Sequence, residues 1–375
     1  MKKIALIGST GSIGKQVLSV CKKHPDKFKI VSLSAGENTQ LFLSQTQEFK
    51  PLVATCSKEC EIRGLNAEFY FGEEAFLHAI IKEADVVVVA LVGFLGLKAV
   101  LKAIELKKDI ALANKESLVL GGALVTKLAK NSGVNVYPID SEHSAIWQAL
   151  GFDYNTPFSK IIITASGGAL RDFELSRLEC ATPADVLKHP NWKMGKKITV
   201  DSATLVNKAF EVIEAKWLFN TDYNNINAII HRESIIHSLV EFKDGSYLAQ
   251  LSKPNMELPI MLALSAPTRL DVGLDKLDLV KLSSLTFSEI DNKRYPCFLE
   301  TINSAKKGKG YSAVCNGANE KAVELFLKEK IKFTDIEKSI KTSLDKFSGG
   351  DDESYQGLKD ANEFGVNIVS ELFKD

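Results

Sequence analysis

Ile4-Ala5-Leu6-Ile7-Gly8-Ser9-Thr10-Gly11-Ser12-Ile13-Gly14 sets an apolar run of strand length directly against three glycines and the mouth of a helix. A side chain at those glycines would hold the backbone away from a pyrophosphate, whose charge is met by free N–H groups at a helix N-terminus. The spacing is GxxGxxG rather than the commoner GxGxxG. Its place after a strand and before a helix reads as a dinucleotide-binding turn.

Outward from this motif, short β-branched runs alternate with amphipathic stretches. Strands are expected at Lys3–Ile7, Phe28–Ser34, Leu52–Thr55, Val86–Ala90, Asp109–Ala111 and Asn135–Pro138. Helices are expected at Ile13–Lys23, Thr39–Phe49, Glu73–Ile81, Leu95–Leu106 and Ala123–Lys130. That alternation builds an α/β fold with a Rossmann-like, doubly wound parallel sheet over residues 1–139. A central α+β catalytic domain is expected over 140–265. It opens with a strand at Lys160–Thr164 and a helix around Thr204–Phe219, then adds an antiparallel set at Ile226–His231, Ile235–Phe242 and Tyr247–Leu251. Residues 266–295 read as a linker and 296–375 as a C-terminal helical bundle.

Composition narrows the partners. Lys plus Arg (47) equals Asp plus Glu (47), so no net field recruits nucleic acid or an anionic membrane, and an anion needs a local cluster. The six cysteines form no CxxC pair, which predicts reduced thiols. The first apolar run stops at Gly8, too early for an export signal, and the stretch Val86–Leu97 is too short to span a bilayer. A cytoplasmic protein without a membrane segment is the expectation.

Candidate chemistry lies at strand ends. Gly36-Glu37-Asn38 falls where the adenosine ribose should lie, and by the simple rule the acid of Glu37 accepts a ribose 2′-hydroxyl and favours NAD. Asp140 and Glu142, read as an extended segment after a strand, point the same way and can share one ion. Asp201-Ser202-Ala203-Thr204 reads as a helix start, which puts Asn207, Lys208 and Glu211 on one helix face and makes Glu211 a third ligand. Oxygen donors alone favour Mg²⁺ or Mn²⁺. Ser166 before Gly167-Gly168, Ser202, Asn207 and Lys208 are donor types that hold a phosphate monoester.

These segments resemble the 1-deoxy-D-xylulose 5-phosphate reductoisomerase family. The resemblance is carried by Gly8–Gly14, Ala113-Asn114-Lys115-Glu116-Ser117, Pro138 to Ala145, Thr164-Ala165-Ser166-Gly167-Gly168, His189-Pro190-Asn191-Trp192-Lys193-Met194-Gly195, and Val200 through Asn207-Lys208 to Glu211, all in order. It implies an NADPH-dependent homodimeric enzyme that rearranges a deoxyxylulose phosphate and reduces the product. It also implies a metal on Asp140, Glu142 and Glu211, and phosphate on Ser166, Ser202, Asn207 and Lys208. Lys115, Ser141, Glu142 and His189 are then expected around the reacting centre, with Lys115 stabilising an enolate and Glu142 or a bound water moving protons. Thr10, Gly11, Ser12, Ile13, Gly36, Glu37, Asn38, Asn114, Glu116 and Gly195 would line the cofactor.

Residues 171–197, flanked by Gly167-Gly168 and Gly195, read as an active-site lid with Trp192 as its cap. His231 and His237 read as hydrogen-bonded histidines outside the site. Two rival readings are a generic two-domain NAD-dependent dehydrogenase without a catalytic metal and a dinucleotide-binding regulator without turnover.

Overall fold

Strand β1 (Lys2–Ile7) buries Ile4, Ala5, Leu6 and Ile7 completely, as expected for a central parallel strand covered on both faces. Each large apolar side chain so buried contributes about 1.5–3 kcal/mol. The computed structural model describes residues 1–192 and 194–374. After β1 come α1 (Ser12–Lys23), β2 (Phe28–Ala35), α2 (Thr39–Phe49), β3 (Val53–Cys56) and β4 (Glu68–Phe71). A 3₁₀ turn at Ala75–Ala79 leads to β5 (Val86–Val89), α3 (Leu95–Glu105), β6 (Asp109–Leu112), α4 (Glu116–Ser132), β7 (Val136–Pro138) and α5 (Ser141–Ala149).

The seven strands pair in parallel in the order β4-β3-β2-β1-β5-β6-β7. The chain works outward from β1 to β4, then returns to place β5 against the other side of β1. The order therefore reverses between β1 and β5, the point at which open α/β sheets bind ligands beyond their carboxyl ends. Strand β4 has no counterpart among the expected strands although Phe69-Tyr70-Phe71 is apolar; it is a short edge strand with no fully buried residue. The helix expected at Glu73–Ile81 is the shorter 3₁₀ turn.

After α5 follow β8 (Lys160–Ala165), α6 (Pro183–Val186), α7 (Lys196–Thr204), α8 (Val206–Leu218), β9 (Ile226–Ile230), β10 (Ile236–Glu241), β11 (Tyr247–Leu251) and α9 (Glu257–Ser265). The second sheet has the order β11-β10-β8-β9. It is mixed, which corrects the all-antiparallel expectation. Strand β9 runs parallel to β8 while β10 is antiparallel to both β8 and β11. The helices between β8 and β9 supply the long crossover that a parallel pair requires. Among the described residues of this sheet only β10 and β11 form a hairpin, across a turn with Gly245 at φ +84°.

The remaining helices are α10 (Leu279–Leu282), α11 (Pro296–Lys307), α12 (Tyr311–Leu327), α13 (Asp335–Lys346) and α14 (Tyr355–Leu372). Compactness divides the chain into two units that differ from the contiguous domains expected at 139/140, 265/266 and 295/296. The first comprises Met1–Ser117, Val125–Trp147 and Asn255–Leu274, and the second Leu118–Leu124, Gln148–Pro254 and Asp275–Asp375. Residues 255–274 join the first unit because α9 lies against α1, where Lys23 pairs with Glu257 at 2.5 Å and donates to the Val272 carbonyl at 2.7 Å. Among the described residues no helix is long and apolar enough to cross a membrane.

Candidate active site

In the first unit the glycine turn is tight at two of its three positions. Gly8 has φ +99°, and a Cβ there would lie 2.6 Å from the Ala90 carbonyl oxygen; one on Gly14 would lie 2.2 Å from the Gly8 oxygen. These two glycines serve the tight turn and the close approach of helix to strand. Gly11 is different: it is exposed, at φ −71°, and its added Cβ would meet nothing closer than 3.4 Å. Gly11 precedes α1 without a side chain to cap it, which leaves N–H groups and the positive end of the helix dipole for an anion. Ser12 is exposed, with Thr10 and Ile13 half-buried.

Beyond β2, Gly36, Glu37 and Asn38 are exposed. The Asn38 Oδ1 accepts the Leu41 N–H at 3.1 Å and so caps α2. After β6, Asn114 is 1% exposed. Its amide nitrogen lies 3.1 Å from the Leu91 and Gly93 carbonyls and 3.0 Å from Glu116, and its Oδ1 accepts the Ser117 N–H. Asn114 thus ties the loop after β5 to the start of α4. That network needs Gly96, where a Cβ would lie 1.9 Å from Asn114 Oδ1. Gly96 is not among the expected site residues, although Gly93-Phe94-Leu95-Gly96 opens a helix just after a buried strand.

Lys115 follows on, with its ammonium paired to Asp140; the two side chains are 9% and 12% exposed. Asp140 leaves β7, and its carbonyl accepts the Ser144 N–H at 2.9 Å, the first bond of α5. This corrects the extended-segment argument for Asp140 and Glu142. They are the residue before a helix and a member of its first turn, so helix geometry rather than strand alternation sets their directions. The position suits them, since carboxylates at a helix N-terminus face the positive end of its dipole. Ser141 Oγ donates to Glu142 Oε2 at 2.6 Å.

In the second unit Ser166 follows β8, and Gly167 and Gly168 have φ of +83° and +70°. A Cβ on Gly168 would lie 2.6 Å from the Ser202 carbonyl oxygen, so backbone meets backbone and the Ser166 turn lies against the residue of Ser202. Ser166 Oγ accepts the Gly168 N–H at 3.1 Å and lies 3.0 Å from His189 Nε2. His189 Nδ1 accepts N–H groups of Asn191 and Trp192 at 3.2 and 3.0 Å, which leaves Nε2–H as the donor to Ser166. Burial, aided by the Arg171 charge, lowers the His189 pKa to about 4, so the ring is neutral. Arg171 donates to the Ser166 carbonyl at 2.8 Å.

Asp201 to Thr204 form the last turn of α7, not a helix start, and Ser202 accordingly lies near a helix C-terminus. Leu205, at φ +58°, separates α7 from α8. The expectation for α8 itself is met: Asn207 donates to Glu211 at 2.6 Å and Lys208 pairs with it, both at helical spacing. Lys208 and Glu211 are almost fully buried.

Between Arg171 and Lys197 lie a 3₁₀ turn at Leu175–Cys180 and α6, which a Thr182–Asp185 capping box starts. Asn191 donates to the Arg232 carbonyl at 2.8 Å, and half-buried Trp192 meets the His237 ring edge-on at 6.1 Å. Gly195 is exposed at the head of α7, and Lys193 lies outside the described residues. His231 Nε2 accepts the N–H groups of Ile235 and Ile236, and His237 lies 3.0 Å from Ser252 Oγ, in keeping with structural histidines.

Fold and side chains define a dinucleotide-dependent enzyme built on a Rossmann-type sheet. Three family models match the chain: 1-deoxy-D-xylulose 5-phosphate reductoisomerase over residues 4–122, its C-terminal domain over 136–219, and a further DXP reductoisomerase C-terminal domain over 251–364. The 1-deoxy-D-xylulose 5-phosphate reductoisomerase of Nostoc punctiforme is 48% identical over 92% of this chain and 89% of its own. That of Pelotomaculum thermopropionicum is 44% identical over the full length of both. A crystal structure of DOX-P reductoisomerase in complex with NADPH, fosmidomycin and magnesium superposes with a TM-score of 0.93 at 37% identity, covering 99% of this chain and 97% of that one. The Zymomonas mobilis enzyme in complex with NADPH also gives 0.93, at 34% identity, covering 100% and 99%. The chain belongs to the 1-deoxy-D-xylulose 5-phosphate reductoisomerase family. That membership sets aside the generic dehydrogenase and the non-catalytic regulator.

Proposed function

We propose that the chain rearranges 1-deoxy-D-xylulose 5-phosphate to a branched aldehyde phosphate and reduces it to 2-C-methyl-D-erythritol 4-phosphate, a precursor of isoprenoids. One observation carries the reading in this family member. The glycine turn, the loop after β2, Lys115 and the Asp140–Glu142 pair all leave the carboxyl edge of a single parallel sheet.

Asp140, Glu142 and Glu211 are assigned to a divalent metal. The donor set suits it, because carboxylates without thiolate or imidazole favour the hard ions Mg²⁺ and Mn²⁺, and magnesium is bound in the related structure. Thr10, Gly11, Ser12, Ile13, Gly36, Glu37, Asn38, Asn114, Glu116 and Gly195 are assigned to NADPH. When bound, the cation would supply Lewis-acid polarisation of the substrate ketone and its neighbouring hydroxyl, and NADPH would supply the hydride. Lys115 offers its ammonium to the negative charge that develops on the substrate oxygen, and Glu142 or a bound water moves the proton. Ser141 and the His189 Nε2–H orient the substrate, while Ser166, Ser202, Asn207 and Lys208 hold its phosphate. Residues 171–197 close over it and exclude water, with Trp192 as the cap.

Glu37 lies exposed, where water screens its repulsion of a 2′-phosphate. NADPH is therefore the assigned reductant. The equal counts of acidic and basic residues argue against a nucleic-acid or membrane partner and suit a cytoplasmic bacterial enzyme. A homodimer is supported by edge strand β11, where Tyr247 and Leu248 are each 51% exposed.

The test is NADPH oxidation with 1-deoxy-D-xylulose 5-phosphate, with and without a chelator. Turnover that survives chelation overturns the metal assignment, near-normal turnover in Lys115→Ala overturns that role, and a higher kcat/KM with NADH overturns the cofactor assignment.

A further inference from the structure

Asp201 stands beside Ser202 in the last turn of α7 and is 2% exposed. A carboxylate so far from water persists only when its charge and lone pairs are met. One oxygen accepts the Asn319 amide at 2.8 Å, a group 118 residues away on α12. The other pairs with Lys197 at 2.7 Å, one turn earlier on α7, and the Lys197 ammonium lies 5.4 Å from the centre of the Phe210 ring on α8. A single carboxylate thus joins α7 to α12 and, through Lys197, to α8. Thr204 adds a local brace, its hydroxyl 3.2 Å from the Asp201 carbonyl and 3.3 Å from the Val206 N–H across the corner.

On the other side of the same turn the Gly168 backbone leaves no room for a Cβ against Ser202 and Ala203. Ser202 is therefore fixed from two directions. The geometry points to Asp201 and Asn319 as positioning residues for the phosphate end of the substrate, setting Ser202 against the Ser166 turn without touching the ligand. This rests on the assignment of Ser166 and Ser202 to phosphate.

Asn316 provides the control. It lies one turn before Asn319 on α12, is also fully buried, and donates to Asn362 on α14 at 2.9 Å, away from α7. Asn319→Ala and Asn316→Ala each remove one buried amide hydrogen bond, so both should lower the thermal midpoint. Asn319→Ala alone is expected to raise KM for 1-deoxy-D-xylulose 5-phosphate about tenfold while kcat and KM for NADPH stay within about twofold. Asn319→Ser keeps a hydroxyl donor, disturbs packing less, and should shift the same constant by a smaller factor. Equal KM values in Asn319→Ala and the parent overturn the inference if Ser202→Ala raises KM, and so does an equal rise in Asn316→Ala. If Ser202→Ala itself leaves KM unchanged, the phosphate assignment fails and the inference fails with it.

Discussion

Two corners turn the chain through left-handed backbone, and they do it with opposite residues. After β1 the residue is Gly8, at φ +99° with the Ala90 oxygen where a Cβ would go. Between α7 and α8 it is Leu205, at φ +58° and 2% exposed. A left-handed conformation costs a non-glycine residue about 1–2 kcal/mol, which packing around a buried leucine can offset. At Gly8 no packing could compensate, because the obstacle is backbone. The first corner is written in the residue type; the second is imposed by its surroundings.

The comparison can be broken most decisively at Gly8. Gly8→Ala should cost at least about 3 kcal/mol of stability and weaken NADPH binding by at least about a hundredfold, read by denaturant melts and cofactor titration. A tolerated alanine would show that this corner, too, yields to its neighbours. Leu205→Ala comes next: it keeps the strained φ but empties the packing, and a loss of about 2–4 kcal/mol is expected in the same melts. A loss under about 1 kcal/mol would mean that the side chain does not hold the corner. Gly11→Ala sharpens the contrast within the first corner, since its Cβ meets no protein atom closer than 3.4 Å. Stability should hold within about 1 kcal/mol while KM for NADPH rises about tenfold, the mark of a glycine kept for the ligand. The smallest effect is Thr204→Val, which removes the hydroxyl beside the Val206 N–H and should cost about 1 kcal/mol in a thermal melt.

The same contrast explains what could be read in advance. The parallel sheet is legible because its strands carry apolar runs, β4 included with Phe69-Tyr70-Phe71 although no strand is expected there, and the glycine turn because only glycine fits at Gly8 and Gly14. The α7–α8 corner is not: a left-handed leucine leaves no mark in the residue pattern, so the pattern shows no α7 and places a helix start at Asp201. The pairing of Asn207 and Lys208 with Glu211 survived that error, because helical spacing depends on the helix and not on where it begins. Asp140 and Glu142 were read with the wrong local geometry, since one residue decides whether a strand end continues or becomes a helix. Mixed pairing in the second sheet was hidden because β8 and β9 are separated by three helices, and no local feature of β9 names its partner.

The state of His189 bears on how acidity acts on this molecule. With its pKa lowered to about 4 by burial and by Arg171, the ring takes no proton in the folded chain across the range in which a free imidazole, near 6.5, would. The unfolded chain does, so this group's contribution to stability is intact above pH 6.5 and is lost as the pH falls toward 4. A change in substrate affinity near pH 6, where a phosphate monoester has its second ionisation at about 6, is then not this histidine's. Acid thus removes charge from the substrate before it adds any to the ring that faces Ser166.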